Sequence, residues 1–165
     1  MPRALYEQYY AGDSRFIFAG ESVDISVMIP GTETVLRMTP FHFSLGVGCR
    51  KGTPCAEIDK AVNTVLERYG IPMCAVSVVA SANVKSQEKG LFDFVEKYRK
   101  ELRFFTAEQL NSVPVPNPSK HAMEHLGINS VSEASALLGA GVGGILLAEK
   151  TAFDTVTVAV AKMRE

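Results

Sequence analysis

The spacing of hydrophobic positions changes near residue 42. Before it, short apolar stretches flanked by polar and turn residues are typical of strands, and we predict three of them, RFIFAG, VDISVMI and TVLRMT, with a turn at PGTET. We therefore predict that residues 1–42 form a short strand-rich N-terminal segment and residues 43–165 the main domain.

After residue 42, apolar runs alternate with segments of helical period. The run FHFSLGVG predicts a strand, and TPCAEIDKAVNTVLERYG a helix with Thr53 as N-cap, Pro54 at its first position and Gly70 as its end. The nearly unbroken apolar stretch MCAVSVVASA predicts a strand buried on both faces, followed by a helix capped by Ser86. Successive units of this kind are typical of a parallel sheet.

The C-terminal half continues the alternation. LRFF predicts a short strand, and Thr106 with Gln109 has the spacing of a capping box. A second capping box is predicted at Ser130 and Glu133, opening a helix that closes at Gly139. The last stretches, GGILLAEK and TVTVAVAKM, predict paired strands. The predicted fold is a three-layer α/β/α domain with a mainly parallel sheet and an antiparallel edge pair.

Composition narrows the class of protein. The 165 residues are 47% hydrophobic and 21% charged with a net charge of −1, which is typical of a globular protein and not of a nucleic-acid binder. No apolar run approaches the ~20 residues that span a bilayer, and the N-terminus does not resemble a signal peptide, so we expect a cytoplasmic protein. Three cysteines without a C-x-x-C motif argue against a disulfide framework and a zinc site.

The stretch SLGVGCRKGTPC lies between a predicted strand and a predicted helix. Such a glycine-rich turn directs backbone amides and the positive end of the helix at an anion, and its Arg-Lys pair adds charge. Its spacing matches neither the dinucleotide fingerprint nor a P-loop, so NAD and ATP are not the expected ligands. Carboxylates bind such a turn by the same physics, and we expect a ligand of that class. The alternative is a tight turn with two solvated charges. The candidate binding residues are Gly46, Gly48, Cys49, Arg50, Lys51 and Gly52.

Cys49 near a helix start is also a candidate nucleophile. No motif ties a histidine to it as a base, so a small buried residue is the favoured interpretation.

Two further segments carry polar candidates. Ser81, Lys85 and Glu88 follow a predicted buried strand, where open α/β sheets bind ligands, and they suit the positioning and activation of water. The alternative is a capped helix start with surface charges. The proline-rich loop VPVPNPS precedes a short predicted helix from Ser119, and Asn117 in it is a candidate hydrogen-bonding group.

Taken together, these segments resemble a known family. LGVGCRKGTPCAEI, VASANVKSQEKGL, RFFTAEQL, VPVPNPS, SVSEASALLGAG and VTVAVAK resemble, in this order, the C-terminal domain of the CbiG/CobE family of cobalamin biosynthesis. The resemblance covers about residues 43–163 and carries over the candidate residues named above, except Lys51. One position departs from the pattern, because Asn83 stands where the family commonly has an acidic residue.

The resemblance implies a hydrolase of the corrin pathway. Members of the CbiG type open the δ-lactone of cobalt-precorrin-5A and release a two-carbon fragment as acetaldehyde. It also implies a tetrapyrrole ligand rimmed by carboxylates. From the residues themselves we predict that Arg50, the glycine-turn amides, Ser81, Asn117 and Ser119 bind this ligand. We also predict from them that Glu88 with Lys85 activates water. Cobalt would come with the substrate, so we expect no cofactor held by the protein.

Alternatives to catalysis remain open. One alternative is a non-catalytic module that binds or carries a corrinoid intermediate. Another is a chain that completes a catalytic site in an N-terminal domain outside this sequence. Residues 1–42 resemble at most the end of a middle region of long members, so a short natural form and a fragment are both consistent with the sequence. Other enzymes of the pathway are candidate partners, and neither nucleic acid nor membrane is expected.

Overall fold

The computed structural model describes residues 16–18, 25–28, 35–38 and 42–164. The chain divides into two compact units, Met1–Phe41 and His42–Glu165. In the first, three short strands form an antiparallel sheet in the order β1-β2-β3, and they are β1 Phe16–Phe18, β2 Ile25–Met28 and β3 Val35–Met38. The three predicted strands are therefore confirmed. The predicted turn at residues 30–34 lies outside the described residues.

The second unit is an α/β fold around a five-stranded sheet. Its strands are β4 Phe43–Cys49, β5 Val76–Ala82, β6 Glu101–Phe105, β7 Ile145–Ala152 and β8 Val156–Lys162. Its α-helices are α1 Cys55–Arg68, α2 Lys89–Tyr98, α3 Ala107–Asn111, α4 Lys120–Leu126 and α5 Val131–Ala140. Single 3₁₀ turns at Met73–Ala75 and Asn83–Lys85 flank β5.

The sheet has the order β6-β5-β4-β8-β7 and is mixed. β4, β5 and β6 run parallel, whereas β8 is antiparallel to both β4 and β7. The α/β prediction is confirmed, but the sheet is less parallel than predicted. β8 is not an edge strand, because it pairs with β4 in the middle of the sheet, which agrees with its apolar alternation.

Alternation along β4 assigns the two faces of the sheet. Small residues on one face, among them Gly46, pack against α5, whereas Leu45 and Val47 are fully buried on the other. α1 packs against α2 and β8. Helices therefore cover the sheet, and its strands read as continuous apolar runs because neither face of the central strands meets water.

The helix ends show which local signals were sufficient. α1 begins one residue later than predicted, with Pro54 as N-cap, because the hydroxyl of Thr53 donates to the carbonyl of Arg50 instead. α2 begins after Glu88, not after Ser86. Thr106 and Gln109 form the predicted capping box.

No helix in the part of the chain described by the structure is long and apolar enough to cross a membrane.

Candidate functional site

A cavity of about 520 Å³ lies at the carboxyl end of β4. Five segments line it: the glycine turn after β4, the 3₁₀ turn after β5, α4, the first turn of α5 and the hairpin between β7 and β8. Since β4 and β5 are parallel, their carboxyl ends meet at one edge of the sheet, as in other open α/β sheets with ligand sites.

The hairpin after β7 reaches this edge because β8 is antiparallel to β4. The amide of Arg50 donates to the carbonyl of Thr155 at 2.9 Å, which joins the glycine turn to the hairpin. The side chain of Thr155 also donates to Glu57 of α1. The turn and the hairpin therefore form one continuous wall.

Glu88 holds the glycine turn in place from behind. Its Oε2 accepts from the amide of Gly52 at 2.7 Å, and its Oε1 lies 3.5 Å from Nζ of Lys85. Gly52 has a φ of +77°, a conformation that favours glycine. Lys85 lines the cavity, whereas the largely buried Glu88 is not among the residues that line it. The two predicted catalytic residues are thus adjacent, and Lys85 is the one that faces the cavity.

Cys49 lines the cavity beside this pair. Burial raises the pKa of its thiol, the nearby Lys85 lowers it and Glu88 raises it, and the pKa lies above the usual value. A thiol with a raised pKa is a poor nucleophile at neutral pH, because the thiolate is the reactive form. The geometry therefore agrees with the interpretation of Cys49 as a packing residue.

Gly46 and Ser81 lie behind the cavity wall, outside its lining. A Cβ on Gly46 would stand 1.8 Å from the carbonyl oxygen of Ser132, so this glycine permits the close approach of α5 to β4. The buried hydroxyl of Ser81 donates to the carbonyl of Val47 at 2.6 Å. Both positions support the site from within the sheet. Gly48, Arg50 and Lys51 line the cavity.

Asn117 anchors the proline-rich loop to a buried carboxylate. The backbone amide and Nδ2 of Asn117 donate to the two oxygens of Glu133, at 3.1 and 2.8 Å, and the amide of Lys150 donates to Oε1 at 2.9 Å. Nζ of Lys150 in turn donates to the carbonyl of Asn117 at 2.7 Å. The network fixes the position of Lys150, which is one of the residues that line the cavity.

The same network makes the predicted capping box of Ser130 and Glu133 wrong. Ser130 makes no side-chain capping bond, and Glu133 is directed to the loop and to β7 instead of to its own helix. Ser119, by contrast, caps α4 by accepting from the amide of Ala122 at 3.2 Å, and it lines the cavity as well.

Several cavity residues were not singled out from the sequence. They come from α4, the first turn of α5 and the β7–β8 hairpin: Ala122, His125, Leu126, Val131, Ser132, Lys150, Phe153, Asp154 and Thr155. The apolar alternation of β8 was the available signal. As a central strand antiparallel to β4, it places the preceding hairpin beside the glycine turn.

The arrangement combines positive charge with an apolar wall. Arg50, Lys51, Lys85 and Lys150 supply the cations, and Asp154 is the acidic residue in the same lining. Ala122, Leu126, Val131 and Phe153 supply apolar surface. Such a cavity is chemically suited to a largely apolar ligand that bears carboxylates. Within the described residues, no cluster of three or more His, Cys, Asp or Glu side chains is placed to hold a metal ion.

Comparisons with known proteins agree with this architecture. The family model described as "Cobalamin synthesis G C-terminus" matches residues 43–161. A cobalt-precorrin-5A hydrolase from Priestia megaterium is 30% identical over 122 residues, which are 74% of this chain and 32% of the relative. Protein CobE from a Sinorhizobium species is 27% identical over 119 residues, 71% of this chain and 77% of the relative.

Among solved structures, the crystal structure of CobE, a protein from the cobalamin biosynthetic pathway, superposes with a TM-score of 0.72 at 27% identity. The match covers 76% of this chain and 92% of that one. The chain spans about a third of the length of the hydrolase relative and most of the CobE chains. Since the family model covers most of the chain, the protein belongs to the cobalamin synthesis G C-terminus family.

Proposed function

We propose that this chain binds a carboxylate-rich tetrapyrrole intermediate of cobalamin synthesis in the cavity at the carboxyl end of β4, and that it takes part in opening the lactone of cobalt-precorrin-5A. The observation that carries the proposal is the cationic lining set against an apolar wall. Family membership supports the pathway, and the names of the hydrolase relatives support the reaction.

The ligand would lie with its macrocycle against the apolar wall. Leu126, Val131 and Phe153 would contact its face. Arg50 and Lys51 on the glycine turn, with Lys150 on β7, would bind peripheral carboxylates. The amides of Arg50 and Gly52 already donate to Thr155 and Glu88 within the protein, so the side-chain cations would supply the binding on this side.

In the hydrolytic step, water attacks the lactone carbonyl. The tetrahedral intermediate then breaks the bond between the acyl carbon and the ring oxygen, which leaves as an alkoxide and takes up the proton that Glu88 accepts from water. Lys85 would stabilise the charge that develops on the carbonyl oxygen, because it lines the cavity and its Nζ lies 3.5 Å from Oε1 of Glu88. Glu88 would accept the proton of water on Oε1, whose contact with Lys85 is long at 3.5 Å. Its Oε2 would stay bonded to the amide of Gly52.

Turnover is tested with cobalt-precorrin-5A and a measurement of acetaldehyde release. The proposal expects release by the parent protein and its loss in Glu88→Gln, with ligand affinity retained, because glutamine keeps an acceptor for Gly52 and loses the base. A Glu88→Gln variant that still releases acetaldehyde at the parental rate would remove Glu88 from the chemical step.

A second candidate function is binding without turnover. The geometry of Glu88 favours it, because both carboxylate oxygens already have partners and the residue does not line the cavity. Tight binding of the intermediate by the parent protein, without acetaldehyde, would support this candidate over catalysis.

Binding itself is tested with uroporphyrin, a porphyrin octacarboxylate, by quenching of its fluorescence. Arg50→Ala is expected to weaken binding by about tenfold or more, since a hydrogen bond to a charged group is worth ~1.5–3 kcal/mol. Arg68→Ala is the matched control, because Arg68 is exposed at the end of α1 and does not line the cavity. Equal losses in the two variants would show a non-specific effect of charge.

A further inference from the structure

The first turn of α5 opens onto the cavity floor. Ser130, Val131 and Ser132 line the cavity, and they are the N-cap and the first two residues of the 10-residue helix α5. The first amides of a helix have no partner within the helix, and together they carry its positive dipole end. Ser130 stands at the N-cap but makes no side-chain capping bond. The amides of this turn are therefore not satisfied by the residue that usually does so.

Two buried hydroxyls accompany these amides. The side chains of Ser130 and Ser132 are fully buried, and their Oγ atoms have no hydrogen-bond partner among the described residues. A buried hydroxyl without a hydrogen-bond partner destabilises the folded protein, so alanine would be the more stable residue at such a position. Two such hydroxyls on one turn at a cavity indicate that their partner is a ligand.

Glu133 is also withheld from capping. At N3 it occupies the position from which a carboxylate reaches back over a helix start, but its oxygens accept from Asn117 and from the amide of Lys150. Glu133, the acidic residue in the first turn of α5, thus binds the proline-rich loop and β7. Lys150 belongs to the same cavity lining, and this network holds its Nζ at the carbonyl of Asn117.

We infer that the first turn of α5 is a subsite for one carboxylate of the ligand. The hydroxyls of Ser130 and Ser132 and the amides of the turn donate to it, and Lys150 supplies the opposite charge. A carboxylate has about four acceptor positions, which matches two hydroxyls and two amides. The inference deepens the proposed function and rests on it for the identity of the ligand, but the subsite is separate from the glycine turn with Arg50.

The matched control is Ser44→Ala. Ser44 is also fully buried with an unpartnered hydroxyl, but it lies in β4 and does not line the cavity. Ser130→Ala, Ser132→Ala and Ser44→Ala should all leave the melting temperature of the free protein equal to or above that of the parent, because each removes an unsatisfied hydroxyl. A clear loss of melting temperature in the two α5 variants would show that their hydroxyls have partners in the protein, and would overturn the inference.

Binding is measured in two ways, in buffer free of carboxylates. Sodium acetate is titrated against the ¹⁵N-labelled protein, and saturable shifts are expected for the amides of Val131, Ser132 and Glu133. These shifts should be lost in the Ser130→Ala, Ser132→Ala double variant and kept in Ser44→Ala. Uroporphyrin binding should weaken about tenfold in the double variant, by the value of a hydrogen bond to a charged group.

The two measurements separate this inference from the proposed function. Acetate shifts at α5 without uroporphyrin binding would support the subsite and contradict the tetrapyrrole ligand. Uroporphyrin binding that is unaffected in the double variant, with no acetate response at α5, would support the ligand and overturn the subsite. A stronger response to inorganic phosphate than to acetate would overturn the assignment to a carboxylate.

Discussion

Gly46→Ala is expected to separate α5 from β4 and to destabilise the protein strongly. Gly46 lies in the middle of the sheet, and a Cβ there would stand 1.8 Å from the carbonyl oxygen of Ser132 and 2.6 Å from the amide nitrogen of Ala136. Both atoms belong to the backbone of α5, so a change of side-chain rotamer cannot relieve the clash. The helix itself must move away from the strand.

The size of the effect follows from this distance. Ordinary contact begins near 3.4 Å, so the helix and strand must separate by roughly 1.5 Å at this point, which loosens the packing along α5. Overpacking of this kind costs ~1–3 kcal/mol, and a backbone clash belongs at the upper end of that range. For a chain of this length, ~3 kcal/mol corresponds to a fall in Tm of roughly 6–12 °C.

Thermal unfolding followed by circular dichroism measures this difference. Gly48→Ala is the matched control, because the three atoms nearest to a Cβ there belong to side chains and not to the backbone, with Oγ1 of Thr157 the nearest at 2.5 Å. We expect a much smaller fall in Tm for Gly48→Ala. If Gly46→Ala melts with the parent, or if Gly48→Ala costs more, the close approach of α5 to β4 is not as described.

Three further predictions concern the cavity wall and the surface of α1. Glu88→Ala, which frees the amide of Gly52, should lower the free energy of unfolding by ~1–3 kcal/mol in a urea titration, whereas Glu88→Gln, which keeps an acceptor, should cost much less; equal losses would contradict the role of Glu88 in holding the turn. Iodoacetamide should alkylate Cys49 slowly at neutral pH, since burial raises the pKa of its thiol. Peptide mass mapping compares the alkylation of Cys49 in folded and unfolded protein, and equally fast alkylation in the folded protein would contradict the prediction. Burial raises the pKa of Asp59, but hydrogen bonds from Tyr98 and Lys97 outweigh this effect and hold the pKa below 3.8. Asp59→Asn should therefore lower Tm at neutral pH, and the difference from the parent should shrink as the pH falls below about 4. A difference in Tm that does not change with pH would contradict this coupling.

Local signals in the sequence located the elements well. The helical spacing of apolar residues placed α1, and Gly70 lies just beyond its end with a φ of +63°. The capping box of Thr106 and Gln109 was correct because both partners belong to the same turn. Gly139 was expected to end α5 but lies inside it, where a Cβ would stand 2.2 Å from Oγ of Ser44. Its small size serves helix–sheet packing, which a local pattern does not distinguish from a helix end.

The candidate site followed the same division. Arg50, Lys51 and Lys85 were found because the residues after a buried strand lie at one edge of a parallel sheet. Ser81 and Gly46 follow the same pattern in sequence, but the alternation of the strands turns them toward β4 and α5. Whether Ser81 and Gly46 contact a ligand remains a prediction.

The sequence by itself determined the class of fold, most element boundaries and the family, because hydrophobic period, turn residues and ordered motifs are local properties of the chain. Only the tertiary structure decided which side chains share the cavity. The antiparallel pairing of β8 with β4 brings the β7–β8 hairpin to the glycine turn, and the bond network of Asn117 and Lys150 draws Glu133 away from its own helix. Those contacts join residues far apart in the chain, and their free energies depend on burial and charge that appear only once the sheet and α5 have packed.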